Sequence, residues 1–142
     1  MGEKKMVGHY IAVKTFEYPI ECFCPCGDHA DVLIINKGDI IEVTNERKFT
    51  MANGWYFLVK INERCIFYMA HIDLEYYFIK EQLLSMLDID LKINYLQFKI
   101  NQALDTGDEV PFLNYTTEFK KINNLKGKFK TFLNRAESKS FF

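Results

Sequence analysis

An α+β fold, a small antiparallel β-barrel followed by an α-helical hairpin, is predicted by three features of this 142-residue chain. Residues 10–79 alternate apolar and polar side chains in short runs bounded by Gly, Pro and Asn, the pattern of half-buried strands. From Lys80 onward the apolar residues recur at steps of three and four, the pattern of helices. A hydrophobic content of 49% is enough to bury a core in one ordinary domain or two small ones. The organisation expected is a tail at 1–9, the barrel at 10–79, the hairpin at 80–126, and a short helix or flexible tail at 127–142.

Tyr10 to Lys14 has the β-branched and aromatic character of an opening strand. Thr15 to Asp31, broken by Pro19, Pro25 and Gly27, predicts an irregular loop. Val32 to Ile35 resumes the apolar pattern, Lys37-Gly38-Asp39 makes a turn in which Gly38 takes positive φ, and Ile40 to Val43 forms the next strand. Thr44 to Asn53 reads as a polar loop. Trp55 to Ile61 and Arg64 to Met69 are the arms of a hairpin turning at Asn62-Glu63. His71 to Leu74 is a single helical turn, and Glu75 to Phe78 a short last strand or the entry to a helix.

This order of elements, with the run Leu33-Ile34-Ile35-Asn36-Lys37-Gly38-Asp39-Ile40-Ile41-Glu42-Val43 and then Gly54-Trp55, resembles the SH3 family over about half the chain. The resemblance implies a closed antiparallel sheet that docks other proteins. Of the groove with which that family grips proline-rich peptides, Trp55 matches, while Met69 and Ile72 stand where a proline and a tyrosine would be. An altered groove follows.

Ile89, Ile93, Leu96, Ile100 and Leu104 form one helical stripe, and Leu84, Leu87, Leu91, Tyr95 and Phe98 a second. A helix with two apolar faces must bury both, against the barrel, another helix or a partner. Gly107 suits the C′ position, Asp108 the N-cap and Pro111 the first turn of the next helix. The next helix carries Phe112, Tyr115, Phe119, Ile122 and Leu125 on one face and stops at Gly127. Ile100-Asn101-Gln102-Ala103-Leu104, followed by Asp108 and Phe112-Leu113, resembles the IDEAL domain over about 30 residues. It keeps Ile100, Ala103 and Leu104 and replaces the two acidic positions by Asn101 and Gln102. That family is a small helical module of low-GC Gram-positive bacteria without established catalytic residues, so the resemblance implies contact with another protein. Thirteen Phe and eight Tyr among many Ile, Lys and Asn are what an AT-rich coding sequence produces, which agrees with such a bacterium or its phage.

A formal charge of -1 gives no global attraction to nucleic acid or anionic lipid. The one basic cluster is Lys120, Lys121, Lys126, Lys128 and Lys130, which a solvated helix face explains. No apolar run approaches the roughly 20 residues of a membrane span, and the first residues lack a signal-peptide core, so a cytoplasmic address is expected. Cys22, Cys24, Cys26 and His29 are the only grouping with metal-ligand chemistry. Zinc ligands come in pairs two to four residues apart, whereas these cysteines alternate with single residues, so an extended segment facing alternately in and out is the preferred reading. No cofactor is implied. His9, His29 and His71 are teamed with no nucleophile, and seven scattered glycines make no phosphate loop, so no enzyme is expected.

The function expected is a non-catalytic protein-interaction adaptor or regulator, its partner another protein or a second copy of the chain. The contact residues expected are Trp55, Tyr56 and Phe67 from the barrel and Tyr95, Phe98, Phe112 and Tyr115 from the hairpin. The alternative is a zinc- or nucleic-acid-binding regulator using the Cys22–His29 loop and the Lys120–Lys130 cluster.

Overall fold

A computed structural model describes residues 6–21 and 30–139 of the chain. They form an α+β protein that divides into two compact units, Met1–Leu84 and Ser85–Phe142.

The first unit is built on a five-stranded antiparallel sheet. Its strands are β1 (Gly8–Ala12), β4 (Ile40–Thr50), β5 (Gly54–Ile61), β6 (Cys65–Ala70) and β7 (Leu83–Leu84), in the spatial order β6-β5-β4-β1-β7. The opening strand therefore lies between the last strand and the middle of the sheet. Among the described residues no ladder joins β6 to β7, so the sheet is open where a closed barrel was expected. β7 is only two residues long and pairs with Ile11 and Ala12, which leaves it too short to reach across to β6.

The stretch expected to be an irregular loop instead carries a ribbon, β2 (Phe16–Glu21) paired with β3 (Ala30–Ile35). Pro19 sits in it without penalty because a two-stranded ribbon offers an outer edge where a missing N–H is not needed. The inward side chains Phe16, Tyr18, Ile20, Leu33 and Ile35 pack on the core face of the large sheet with Val43, Phe57, Val59, Phe67 and Met69. The Tyr18 hydroxyl accepts from the Ala70 N–H at 3.2 Å and donates to Asp73 Oδ2 at 2.9 Å, tying the ribbon to the end of β6 and to the helix after it. That helix, α1 (His71–Ile79), is nine residues rather than one turn. Leu74 is fully buried, and the rings of Tyr77 and Phe78 lie 4.4 Å from Phe16 and 4.6 Å from Tyr10, centroid to centroid. Those contacts repeat on one side of a helix, so they sustain the turns that a strand would have broken.

Local turn chemistry follows the sequence closely. Gly38 has φ +92° and donates to the Ala12 carbonyl at 2.7 Å. Asp39 accepts from the Asn36 N–H at 2.8 Å and from Asn62 Nδ2 at 3.1 Å, while Asn62 Oδ1 accepts from the Ile40 N–H at 2.9 Å. Two turns distant in sequence are thus clamped together. Asn62 and Glu63 both have positive φ, as a primed hairpin turn requires. Thr44 to Thr50, expected to be a loop, continues β4 beyond a bulge between Val43 and Arg47. The Thr44 hydroxyl donates to the Leu58 carbonyl at 2.8 Å across that break, which keeps the strand attached while its ladder is interrupted.

The second unit holds α2 (Met86–Thr106) and α3 (Glu109–Lys139). Ser85 caps α2 in a reciprocal box with Asp88, their backbone N–H groups donating to each other's side chains at 3.1 and 3.2 Å. Gly107, at φ +72°, ends it in the left-handed conformation, with the Asp108 N–H donating back to the Ala103 carbonyl at 3.0 Å. Lys126 Nζ lies 2.7 Å from Asp90 Oδ1, so α3 runs back along α2. Ile89, Leu96 and Ala103 are buried on α2, and Ile122, Leu125 and Phe129 on α3. The expected stop at Gly127 does not occur: α3 passes through it. A mid-helix glycine costs about 1 kcal/mol, less than the roughly 2 kcal/mol gained by burying a side chain the size of Phe129 two residues further on.

Two stability outcomes follow. Tyr18→Phe leaves the buried Ala70 N–H without its acceptor and should lower unfolding free energy by about 1–3 kcal/mol in urea titration. Burial, and after it Asp73, holds the Tyr18 phenol protonated well above its usual range, with the Ala70 bond opposing. The folded state then binds that proton longer than the unfolded one, and stability falls as pH rises beyond about 10. Tyr18→Phe should therefore flatten, in part, the alkaline decline seen in wild type; an unchanged slope would refute the assignment. Gly127 has helical φ and open space around an added Cβ, so Gly127→Ala should raise stability by about 0.5–1 kcal/mol, whereas a helix stop there would make the same change destabilising.

Candidate protein-contact surfaces

Among the described residues, large apolar side chains are exposed at several places, and two of these hold contact residues expected from the sequence. The first is the far end of the β4–β5 hairpin. Thr50 holds its turn, accepting from the Asn53 N–H at 3.1 Å, and Gly54 supplies φ +79°. This register sets Phe49 directly opposite Trp55. The two rings meet edge to face at 5.2 Å, with Arg47 Cζ 5.3 Å from the indole centroid. Trp55 lies on the same face of β5 as Phe57, Val59 and Ile61, which are core residues, but beyond the region that the ribbon covers. It stays 48% exposed, Phe49 54%. An aromatic pair fixed by cross-strand packing and left in water is suited to contact, because it binds without first being ordered.

The neighbouring candidates behave differently. Tyr56 and Phe67 are only 2% and 7% exposed, so they form interior surface and not contact surface. Alternation along β5 puts Tyr56 on the opposite face from Trp55, and Phe67 stands across from Val59 on the core face, where its ring lies 5.9 Å from that of Tyr18. Phe49 fell in a stretch expected to be a loop, because Glu46-Arg47-Lys48 shows no apolar alternation and the strand forms only where β5 lies alongside.

The second place is α2. Leu87, Leu91, Tyr95 and Phe98 are each more than half exposed, on the side away from the buried Ile89, Leu96 and Ala103. The other apolar stripe is as expected at Ile89 and Leu96, with Ile93 and Ile100 half-buried, but Ala103 takes the buried position expected of Leu104, which is exposed. Leu84 belongs to β7 and not to the second stripe. Phe112 and Tyr115 are half-buried on α3. Tyr95 and Phe98 share an exposed surface of α2, and Phe112 and Tyr115 lie on α3.

Cys22, Cys24, Cys26 and His29 lie outside the described residues. Among the described residues no group of three or more His, Cys, Asp or Glu side chains converges as a metal site would. Cys65 is a half-buried free thiol at the start of β6, and His9 and His71 stand beside Glu42 at 3.9 Å and Glu75 at 3.6 Å. Lys120, Lys121, Lys128 and Lys130 are exposed along α3, and Lys126 is engaged by Asp90. No helix among the described residues is long and apolar enough to cross a membrane.

In comparisons with known proteins, the chain matches no family model, no curated protein and no solved structure.

Trp55 is the single tryptophan, so fluorescence excited at the red edge of the indole band, where the eight tyrosines do not absorb, reports this surface. Red-shifted emission with efficient acrylamide quenching is expected in the folded protein; blue-shifted, shielded emission would place the indole in the interior.

Proposed function

We propose that this protein is a non-catalytic adaptor or regulator that acts by binding another protein, through an SH3-like unit followed by an IDEAL-like helical hairpin. The observation that carries this reading is the exposed Phe49–Trp55 pair, rigidly placed at the rim of the sheet with a guanidinium against it. The order of elements supports the SH3-like part: an opening strand, a long excursion, the Lys37-Gly38-Asp39 turn, a bulged strand, a hairpin beginning at Gly54-Trp55, a short helix and a last strand beside the first. With Met69 buried and Ile72 exposed where a proline and a tyrosine would line the groove, the peptide taken is not a simple proline-rich one. The hairpin part is supported by the Gly107 turn and the Asp90–Lys126 pair. The setting that the IDEAL resemblance and the composition fit is the cytoplasm of a low-GC Gram-positive bacterium or its phage.

The test compares affinity capture by wild type, Trp55→Ala and Phe49→Ala with that by Ile66→Ala, an exposed apolar change on β6 away from the pair. A partner retained by wild type and Ile66→Ala should be lost from both aromatic variants. In titrations with that purified partner, Trp55→Ala should weaken binding roughly 30-fold or more, as removal of an anchoring aromatic does. The thermal melt of Trp55→Ala should move little, since an exposed side chain contributes about 0.5 kcal/mol or less to folding. Capture that is equal for all four proteins would sink the reading.

A further inference from the structure

We infer that the exposed apolar face of α2 is a self-association surface, on which two copies of this chain pair helix against helix in antiparallel orientation. At about 100° per residue, Leu87, Leu91, Tyr95 and Phe98 fall within a sector of roughly 80°, opposite the buried side of the helix. Four large apolar side chains, each more than half exposed and contiguous along three turns, form the kind of apolar patch that marks an interaction surface. The helix that bears them is held at both ends, by the Ser85–Asp88 box and by Gly107, so the face is ordered before anything binds.

What identifies a second copy as the occupant is the symmetry of the pattern. A two-fold contact must be complementary to itself. When two α2 helices are laid antiparallel about a point near Ile93, Leu91 of each faces Tyr95 of the other, and Leu87 faces Phe98. Large side chains then alternate along the seam as helix packing at about 8–10 Å requires. The charges agree with the same register. Asp88 and Lys99 border the stripe on one side, and an antiparallel two-fold brings that side of one copy against the same side of the other, so that Asp88 of each meets Lys99 of the other. Lys99 is already drawn along the stripe, its Nζ 5.7 Å from the Tyr95 ring centroid and 3.5 Å from Gln102 Oε1. A parallel pair would instead crowd the acidic amino-terminal turns, Asp88 and Asp90, and align the helix dipoles unfavourably.

The experiment uses the full chain. Sedimentation velocity over a concentration series should show a monomer–dimer equilibrium that Leu91→Glu shifts at least roughly tenfold toward monomer, with the helical circular dichroism signal unchanged. A zero-length carbodiimide reaction on an equimolar mixture of light and nitrogen-15-labelled protein should yield a peptide joining Asp88 to Lys99 with mixed isotopes. Within one chain those residues stand about three turns, or roughly 16 Å, apart along the helix, too far for such a bond, so the product reports the seam even if a variant fails to fold. A chain that stays monomeric throughout, a dimer indifferent to Leu91→Glu, or cross-links between copies that omit the Asp88–Lys99 pair would each overturn the inference. So would a different protein occupying this face while the chain alone remains a monomer.

Discussion

The hydroxyl of Tyr18 ties three elements of the first unit to one another. Tyr18 enters the core from the ribbon, and its oxygen meets both the last N–H of β6 and the carboxylate of Asp73 in the first turn of α1. The apolar contacts of the ribbon's inner face are non-directional and fix no register, whereas this link is directional. Because one oxygen serves as acceptor and donor in a dry setting, it determines where the ribbon lies, where β6 ends and where α1 begins. The aromatic packing of Phe16 and Tyr18 on Tyr77 follows from that placement.

The ribbon's placement also determines what stays uncovered. It shields Phe57, Val59 and Phe67, and stops short of the far end of the β4–β5 hairpin. There the same face of the sheet continues with Trp55, Phe49 and Arg47. The extension exists because β4 survives its bulge: Thr44 reaches across to Leu58, and the ladder resumes at Arg47 with the two faces of the strand unchanged. A strand that ended at Val43 would leave Trp55 without a cross-strand neighbour and free to adopt many rotamers. The exposed aromatic pair is thus a consequence of backbone continuity.

The second unit carries a different arrangement, two apolar faces on one helix. Ile89, Leu96 and Ala103 are buried, whereas Leu87, Leu91, Tyr95 and Phe98 are not. Helical periodicity allows both stripes equally, since each has the spacing that a covered face needs. The interior side also holds the Asp90–Lys126 pair, with α3 as the neighbour. The outer stripe remains as exposed apolar surface.

Features set by residues close in the chain were legible in the sequence. Gly107 ends α2 and Asn62-Glu63 turns a hairpin because the conformations needed there are ones that Gly and Asn adopt at little cost, whatever lies around them. The Lys37-Gly38-Asp39 turn is of the same kind, and the change to helical spacing after residue 80 marked the two long helices, though not α1 before it or β7 just after it. What depends on distant neighbours was not legible. Polar Arg47 to Thr50 became strand because β5 lies alongside, Pro19 entered a ribbon because its edge has no further partner, and Gly127 stayed helical because Phe129 beyond it is buried. The aromatic candidates divide in the same way. Alternation assigns Trp55 and Tyr56 to opposite faces, but only the packed structure decides that the indole is the one in water, because coverage is a property of what lies above a face and not of the strand that bears it.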